Sequence, residues 1–217
     1  MTRNSFDLKL QQLHEDLMAM GEAVAKQIED SIDALKKQDE VLAEKVIQKD
    51  DVIDDFEEDI EDKCIKLMAT EQPLASDLRR IFITTKIITD LERMGDHAVD
   101  IAKIGKKLIG ETYIKELIDI PNMAKIVEKM IKDSLEVYIT TDISRAHEVS
   151  KMDDQVDKLF KSIFDELLVI MRNDQTTINQ ASQFLFICKF LERMADHATN
   201  ICEWTIYLEC GEKLKLN

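Results

Sequence analysis

Eight carboxylates stand in four pairs, each pair spaced by four residues: Asp50 and Asp54, Glu92 and Asp96, Asp153 and Asp157, Glu192 and Asp196. On a helix such residues share one face, one turn above the other, so each pair presents its oxygens side by side. Folding the first pair's helix back on the second as an antiparallel hairpin centres both Asp54–Glu92 and Asp50–Asp96 on Pro73. Asp157–Glu192 and Asp153–Asp196 centre together between Asp174 and Gln175. Each hairpin thus brings four carboxylates to one level, roughly 25–30 Å from its turn at ~1.5 Å per residue. Helix rotation, which spacing does not fix, decides whether they face each other. Four gathered like charges repel, and raised pKa values or a bound cation would relieve them. Carboxylate oxygens suit hard or borderline ions such as Mg, Mn, Ca or Fe. The competing reading makes all eight solvated surface groups, with Arg93–Asp96 and Arg193–Asp196 as ordinary ion pairs. Registration repeated in both hairpins favours the cation site. Asp100 and Asn200 continue the ladder as candidate additional ligands. His97 and His197, about 100° round the helix from the neighbouring Asp, fit either a supporting or a packing role.

The elements that position these residues are helical. Leu10, Leu13, Leu17, Met20, Val24, Ile28, Ile32 and Leu35 recur at three- and four-residue intervals, the seam of a long amphipathic helix. A second run covers about 40–70, with Val46, Ile53, Phe56, Ile60 and Leu67 on its apolar face, and Pro73 interrupts it. A third runs from Ala75 to Leu108, with Gly105 and Gly110 expected as punctuation at its end. Pro121 suits the first turn of a fourth, and two more follow near 142–172 and 176–213. The motif Leu91-Glu92-Arg93-Met94-Gly95-Asp96-His97-Ala98 returns as Leu191-Glu192-Arg193-Met194-Ala195-Asp196-His197-Ala198. An internal duplication is the simplest account. The expected fold is all-α: six long helices in two tandem, pseudo-symmetric three-helix bundles, residues 1–110 and 111–217.

Composition narrows function further. With 44 Asp and Glu against 29 Lys and Arg, the formal charge is −15, a field that repels phosphate backbones and anionic membranes. No nucleic acid and no membrane insertion are therefore expected. The first ten residues lack the apolar core of a signal peptide, and no run is long and apolar enough to span a bilayer, so a cytoplasmic location is expected. Cys64, Cys188, Cys202 and Cys210 form no CxxC pair and read as reduced, small apolar residues. Trp204 and Tyr207, three apart, read as core.

Gln72-Pro73-Leu74-Ala75-Ser76-Asp77-Leu78-Arg79 and the two repeated motifs, the second continuing Thr199-Asn200-Ile201, closely resemble the PhoU family of phosphate-uptake regulators. The resemblance extends over essentially the whole chain. It implies two three-helix bundles that bind metal ions, including multinuclear iron clusters, at the acidic pairs: here Asp50, Asp54, Glu92 and Asp96, then Asp153, Asp157, Glu192 and Asp196. The implied ions are divalent or trivalent, Fe, Mn, Mg or Zn. The implied role is negative regulation of the phosphate-starvation response, between a phosphate ABC transporter and a sensor histidine kinase. That places the protein in the cytoplasm, at the inner face of the membrane only through protein partners. A homodimer is expected from exposed apolar helix faces. One departure stands out: Asn179-Gln180-Ala181-Ser182-Gln183-Phe184 replaces the Pro-x-Ala-Ser-Asp-Leu-Arg segment in the second half.

Enzymatic readings fare less well. Asp50-Asp51-Val52-Ile53-Asp54 and Asp153-Asp154-Gln155-Val156-Asp157 fit the DDxxD pattern of all-helical enzymes acting on diphosphates through Mg, but no Arg pair follows closely on either. A di-iron site needs Glu-x-x-His, and none of the four histidines has Glu three residues before it. Gly105–Thr112 mimics a phosphate loop but carries Glu111 at the lysine position and follows a helix. The chain is expected not to be an enzyme.

Overall fold

The computed structural model describes residues 3–212 and 214–216. Its order is α1 (Arg3–Lys37), α2 (Glu40–Gln48), α3 (Asp50–Glu71), α4 (Ala75–Lys107), α5 (Asp119–Thr140), α6 (Ile143–Ser150), α7 (Asp153–Asn173) and α8 (Ile178–Cys210). The helices α1, α3 and α4 pack together, as do α5, α7 and α8, giving two three-helix bundles joined where α4 meets α8 and α1 meets α5. On α1 the stripe Leu13, Leu17, Met20, Val24, Ile28 and Leu35 is fully buried. Each such side chain contributes about 1.5–3 kcal/mol of burial, which outweighs the modest helix propensity of the β-branched members. Leu91, Met94, Ala98 and Ile101 of α4 and their α8 counterparts are buried to the last percent.

Two of the expected long helices are each broken in two. A left-handed residue, Gln38 (φ 53°) in one half and Thr141 (φ 54°) in the other, ends the preceding helix. The next residue caps a short helix: Asp39 accepts from the Leu42 N–H, and Asp142 from the Arg145 N–H, each at 3.0 Å. After α2 and α6 the chain restarts at Asp50 and at Asp153. The doublets Asp50-Asp51 and Asp153-Asp154 thus lie in first turns, where the helix dipole favours negative charge. Gly105 is not a terminal glycine: α4 continues past it, and a Cβ there would meet the Leu35 backbone at 3.5 Å, an ordinary contact. Gly110, at φ +81°, makes the turn instead.

The hairpin ends explain the second-half departure. Arg79 reaches across to α8, donating to the Leu208 carbonyl at 3.3 Å and lying 5.4 Å from the Tyr207 ring centroid. Buried Gln180 instead clamps the connection between the halves: its Oε1 accepts from the Ile114 N–H at 2.7 Å and its Nε2 donates to Glu111 at 2.8 Å. Tyr113 secures the same connection through the Leu35 carbonyl at 2.6 Å and an edge contact with Phe184. Trp204 and Tyr207 pack edge to face against the core's rim. Cys64, Cys188 and Cys202 are buried free thiols pushed up to about 12 by burial, while Cys210 is exposed. Among the described residues no helix is long and apolar enough to cross a membrane.

Candidate metal centre

In the first hairpin the expected register is what brings charge together. Asp50, half-buried at the start of α3, has its carboxyl raised by burial and then by Asp96 of α4 and Asp54. Glu92 is pushed up to about 7, by burial first, then by Asp96, Glu57 and Asp54, with Arg93 partly opposing. Asp50 thus lies within electrostatic reach of Asp96, and Glu92 within reach of Asp54. Asp54 and Asp96 are exposed, so the face opens to solvent. In the second hairpin Asp196 is raised by burial, then by Glu192 and Asp157, against Lys189 and His197. Asp153 is buried there, only 6% exposed, and Asp157 is exposed.

Neither Arg93–Asp96 nor Arg193–Asp196 forms an ion pair among the described residues, so the carboxylates are not spent on the expected intrahelical bridges. Lys103 lies 3.6 Å from Asp100, which therefore has a cation of its own. Asn200 lines an open cleft of about 400 Å³ with Arg193, Asp196, Glu203 and Lys215. Among the described residues no three His, Cys, Asp or Glu side chains converge on one point as ligands. The donor set nonetheless fits a hard cation: oxygens only, like charges side by side, with the carboxyls of Asp50, Glu92 and Asp196 raised by burial and then by their acidic neighbours. A bound ion would draw neighbouring carboxylates together from the adjacent positions they hold.

The histidines are packing and linking groups between the halves. His97 stacks on Phe190 of α8, its ring nitrogens unpartnered and its pKa lowered by burial and then by Arg193. His197 shares a hydrogen bond with Asp90 of α4. Two residues escaped the spacing argument. Glu57 lies three residues after Asp54 and so on the same face; Asp90 lies four before Met94, on the apolar stripe.

The family model described as PhoU domain matches residues 17–105 and 120–205. The chain belongs to the PhoU family. A protein of Clostridium acetobutylicum named phosphate-specific transport system accessory protein PhoU homolog is 53% identical over the full length of both chains. One of the same name from Streptococcus pneumoniae is 34% identical, over 99% of this chain and all of its own. The crystal structure of PhoU from Pseudomonas aeruginosa superposes with TM-score 0.89 at 34% identity, covering 95% of this chain and all of that one. The phosphate transport system regulatory protein PhoU of Streptococcus pneumoniae superposes with TM-score 0.89 at 33% identity, covering 96% of this chain and 99% of that one. These PhoU relatives share the two three-helix bundles, and their names denote accessory and regulatory proteins rather than a reaction.

Proposed function

We propose that this PhoU-family chain is a cytoplasmic accessory protein of a phosphate-specific transport system that represses the phosphate-starvation response. In this reading it acts without catalysis, as an adaptor between components of a phosphate ABC transporter and a sensor histidine kinase, and self-associates as a homodimer. The observation that carries it is the full-length match, at 53% identity, to a relative named for that system. Metal ions would be held by Asp50, Asp54, Glu92 and Asp96 in the first hairpin and by Asp153, Asp157, Glu192 and Asp196 in the second, with Asp100 and Asn200 at their edges. Neighbouring carboxylates on α3 and α4, with Asp50 and Glu92 raised by burial and then by the acidic groups around them, support this. A bound cation would neutralise the faces and fix paired helices as a docking surface. The diphosphate-enzyme reading gains no such support, since the names of the relatives denote accessory and regulatory proteins rather than a reaction.

The test is a phosphate-starvation reporter, such as secreted alkaline phosphatase, in the host lacking this gene and grown in ample phosphate. High output silenced by the wild-type gene is the expected result. Low output in the deletion strain would overturn the repressing role. Co-purification with transporter components and kinase, and the mass in solution, test the partners and the dimer.

A further inference from the structure

Two of the corresponding positions at which the acidic faces differ lie beside Glu92 and Glu192. Beside Glu92, the hydroxyl of Thr89 on α4 donates to Glu57 Oε1 of α3 at 3.0 Å. The offsets that relate Asp54 to Asp157 and Glu92 to Glu192 turn Glu57 into Phe160 and Thr89 into Lys189. Lys189 Nζ lies 2.6 Å from Glu192 Oε2 and 5.9 Å from the Phe160 ring centroid. Five carboxylates in the first hairpin are thus answered by four carboxylates and one ammonium in the second.

We propose that Lys189 is a built-in counter-cation that weakens metal binding at the second acidic face, so that the chain takes its metal first at the Asp50–Asp54–Glu92–Asp96 face. This rests on the metal reading above. The ammonium occupies an oxygen of Glu192 that would otherwise be a donor, and it repels an incoming dication at short range. Glu192's side chain is only 17% exposed, although the Lys189 side chain is 51% exposed, so water screens the contact in part. The ring of Phe160 below the ammonium holds it in place. In the first hairpin Glu92 has no ion pair among the described residues; Arg93 opposes the repulsion at Glu92 and Lys103 at Asp50 without either bonding to the four carboxylates, so a cation gains most there. Arg93 and Arg193 are common to both halves. The reverse exchange further along the helix, Lys103 for Glu203, offsets Lys189 only in part: Lys103 pairs with Asp100 at 3.6 Å and opposes the rise at Asp50 without bonding to any of the four carboxylates, and Glu203 accepts from the Leu216 N–H at 2.8 Å.

The experiment is Mn(II) titration of the full chain, with free Mn(II) counted by electron paramagnetic resonance and folding checked by circular dichroism. Wild type should show a tight and a weak class of sites. Lys189→Thr should tighten the weak class about tenfold or more and leave the tight class in place. Glu92→Ala with Asp96→Ala should abolish the tight class alone. Wild-type sites of equal affinity, or an isotherm unmoved by Lys189→Thr, would overturn the inference while leaving metal binding intact. No Mn(II) uptake by wild type or Lys189→Thr would overturn the metal reading and the inference together. Thr89→Lys, if folded, should weaken the tight class; an unmoved tight class would count equally against it.

Discussion

Asp90 Oδ1 of α4 and His197 Nδ1 of α8 lie 2.8 Å apart in the interior, 7% and 9% exposed, and bind one half of the molecule to the other. The mirror-image contact is apolar: Phe190 of α8 stacks on His97 of α4 with centroids 5.2 Å apart. Residues at matching positions in the two halves have thus taken complementary chemistries. Removing one partner strands a buried polar group, which costs about 1–3 kcal/mol. Asp90→Ala should lose that much in urea unfolding. Asp90→Asn, which keeps an oxygen acceptor, should lose less.

Cations should stabilise the fold. Saturation at ~100 times the dissociation constant contributes about 2.7 kcal/mol, which for a chain of this size raises Tm by roughly 5–10 °C. Mn(II) should produce such a rise in wild type, reversed by chelator. The Glu92→Ala/Asp96→Ala double variant should respond much less, and its metal-free form should melt no lower than wild type, since repulsion is removed. Unchanged metal stoichiometry in that variant would remove these residues from the site.

Glu128 on α5 gives a pH signature away from the acidic hairpins. Its carboxyl is pushed from 4.5 up to about 7, by burial first and then by Glu29, with Lys125 and Lys26 opposing. Because the folded-state value is raised, its contribution to stability is full below about 4.5 and is lost as pH rises through 7. Glu128→Gln removes that loss. The variant should match wild type near pH 4 and melt roughly 2–4 °C higher at pH 8 per ~1 kcal/mol regained.

The hydroxyl of Tyr138, fully buried on α5, lies 2.8 Å from Thr84 Oγ1 and donates to the Arg80 carbonyl at 3.1 Å. This is a polar tie between the halves within an otherwise apolar contact. Tyr138→Phe should cost about 1 kcal/mol, read by chemical denaturation, with little change in the circular dichroism spectrum.

Helices and hairpin register were legible in the sequence because both depend on periodicity and counting. Leu13 through Leu35 repeat on one face, and the Pro73 turn sets Asp50 against Asp96 and Asp54 against Glu92 by arithmetic alone. The breaks after Gln48 and Ser150 were not legible, since apolar periodicity runs through them. Their local signal was the acidic doublet that opens the next helix, Asp50-Asp51 or Asp153-Asp154, in the first turn where the helix dipole favours negative charge. Glu57 could have been found by extending the i,i+3 rule from Asp54. Asp90 was hidden because its partner, His197, is supplied by an element 107 residues away, and the matching position in the second half is Phe190. Gly105 misled because a glycine near a helix end reads as a terminator, and here the helix runs on to Lys107.

Burial has left this chain one accessible thiol. Cys64, Cys188 and Cys202 are enclosed and held protonated, whereas Cys210 closes α8 at the surface. A maleimide dye added to the unaltered protein should therefore couple at a single position, a few residues from where Arg79 meets Tyr207. The natural sequence thereby offers a ready fluorescent reporter for partner capture, with no substitution needed to make it.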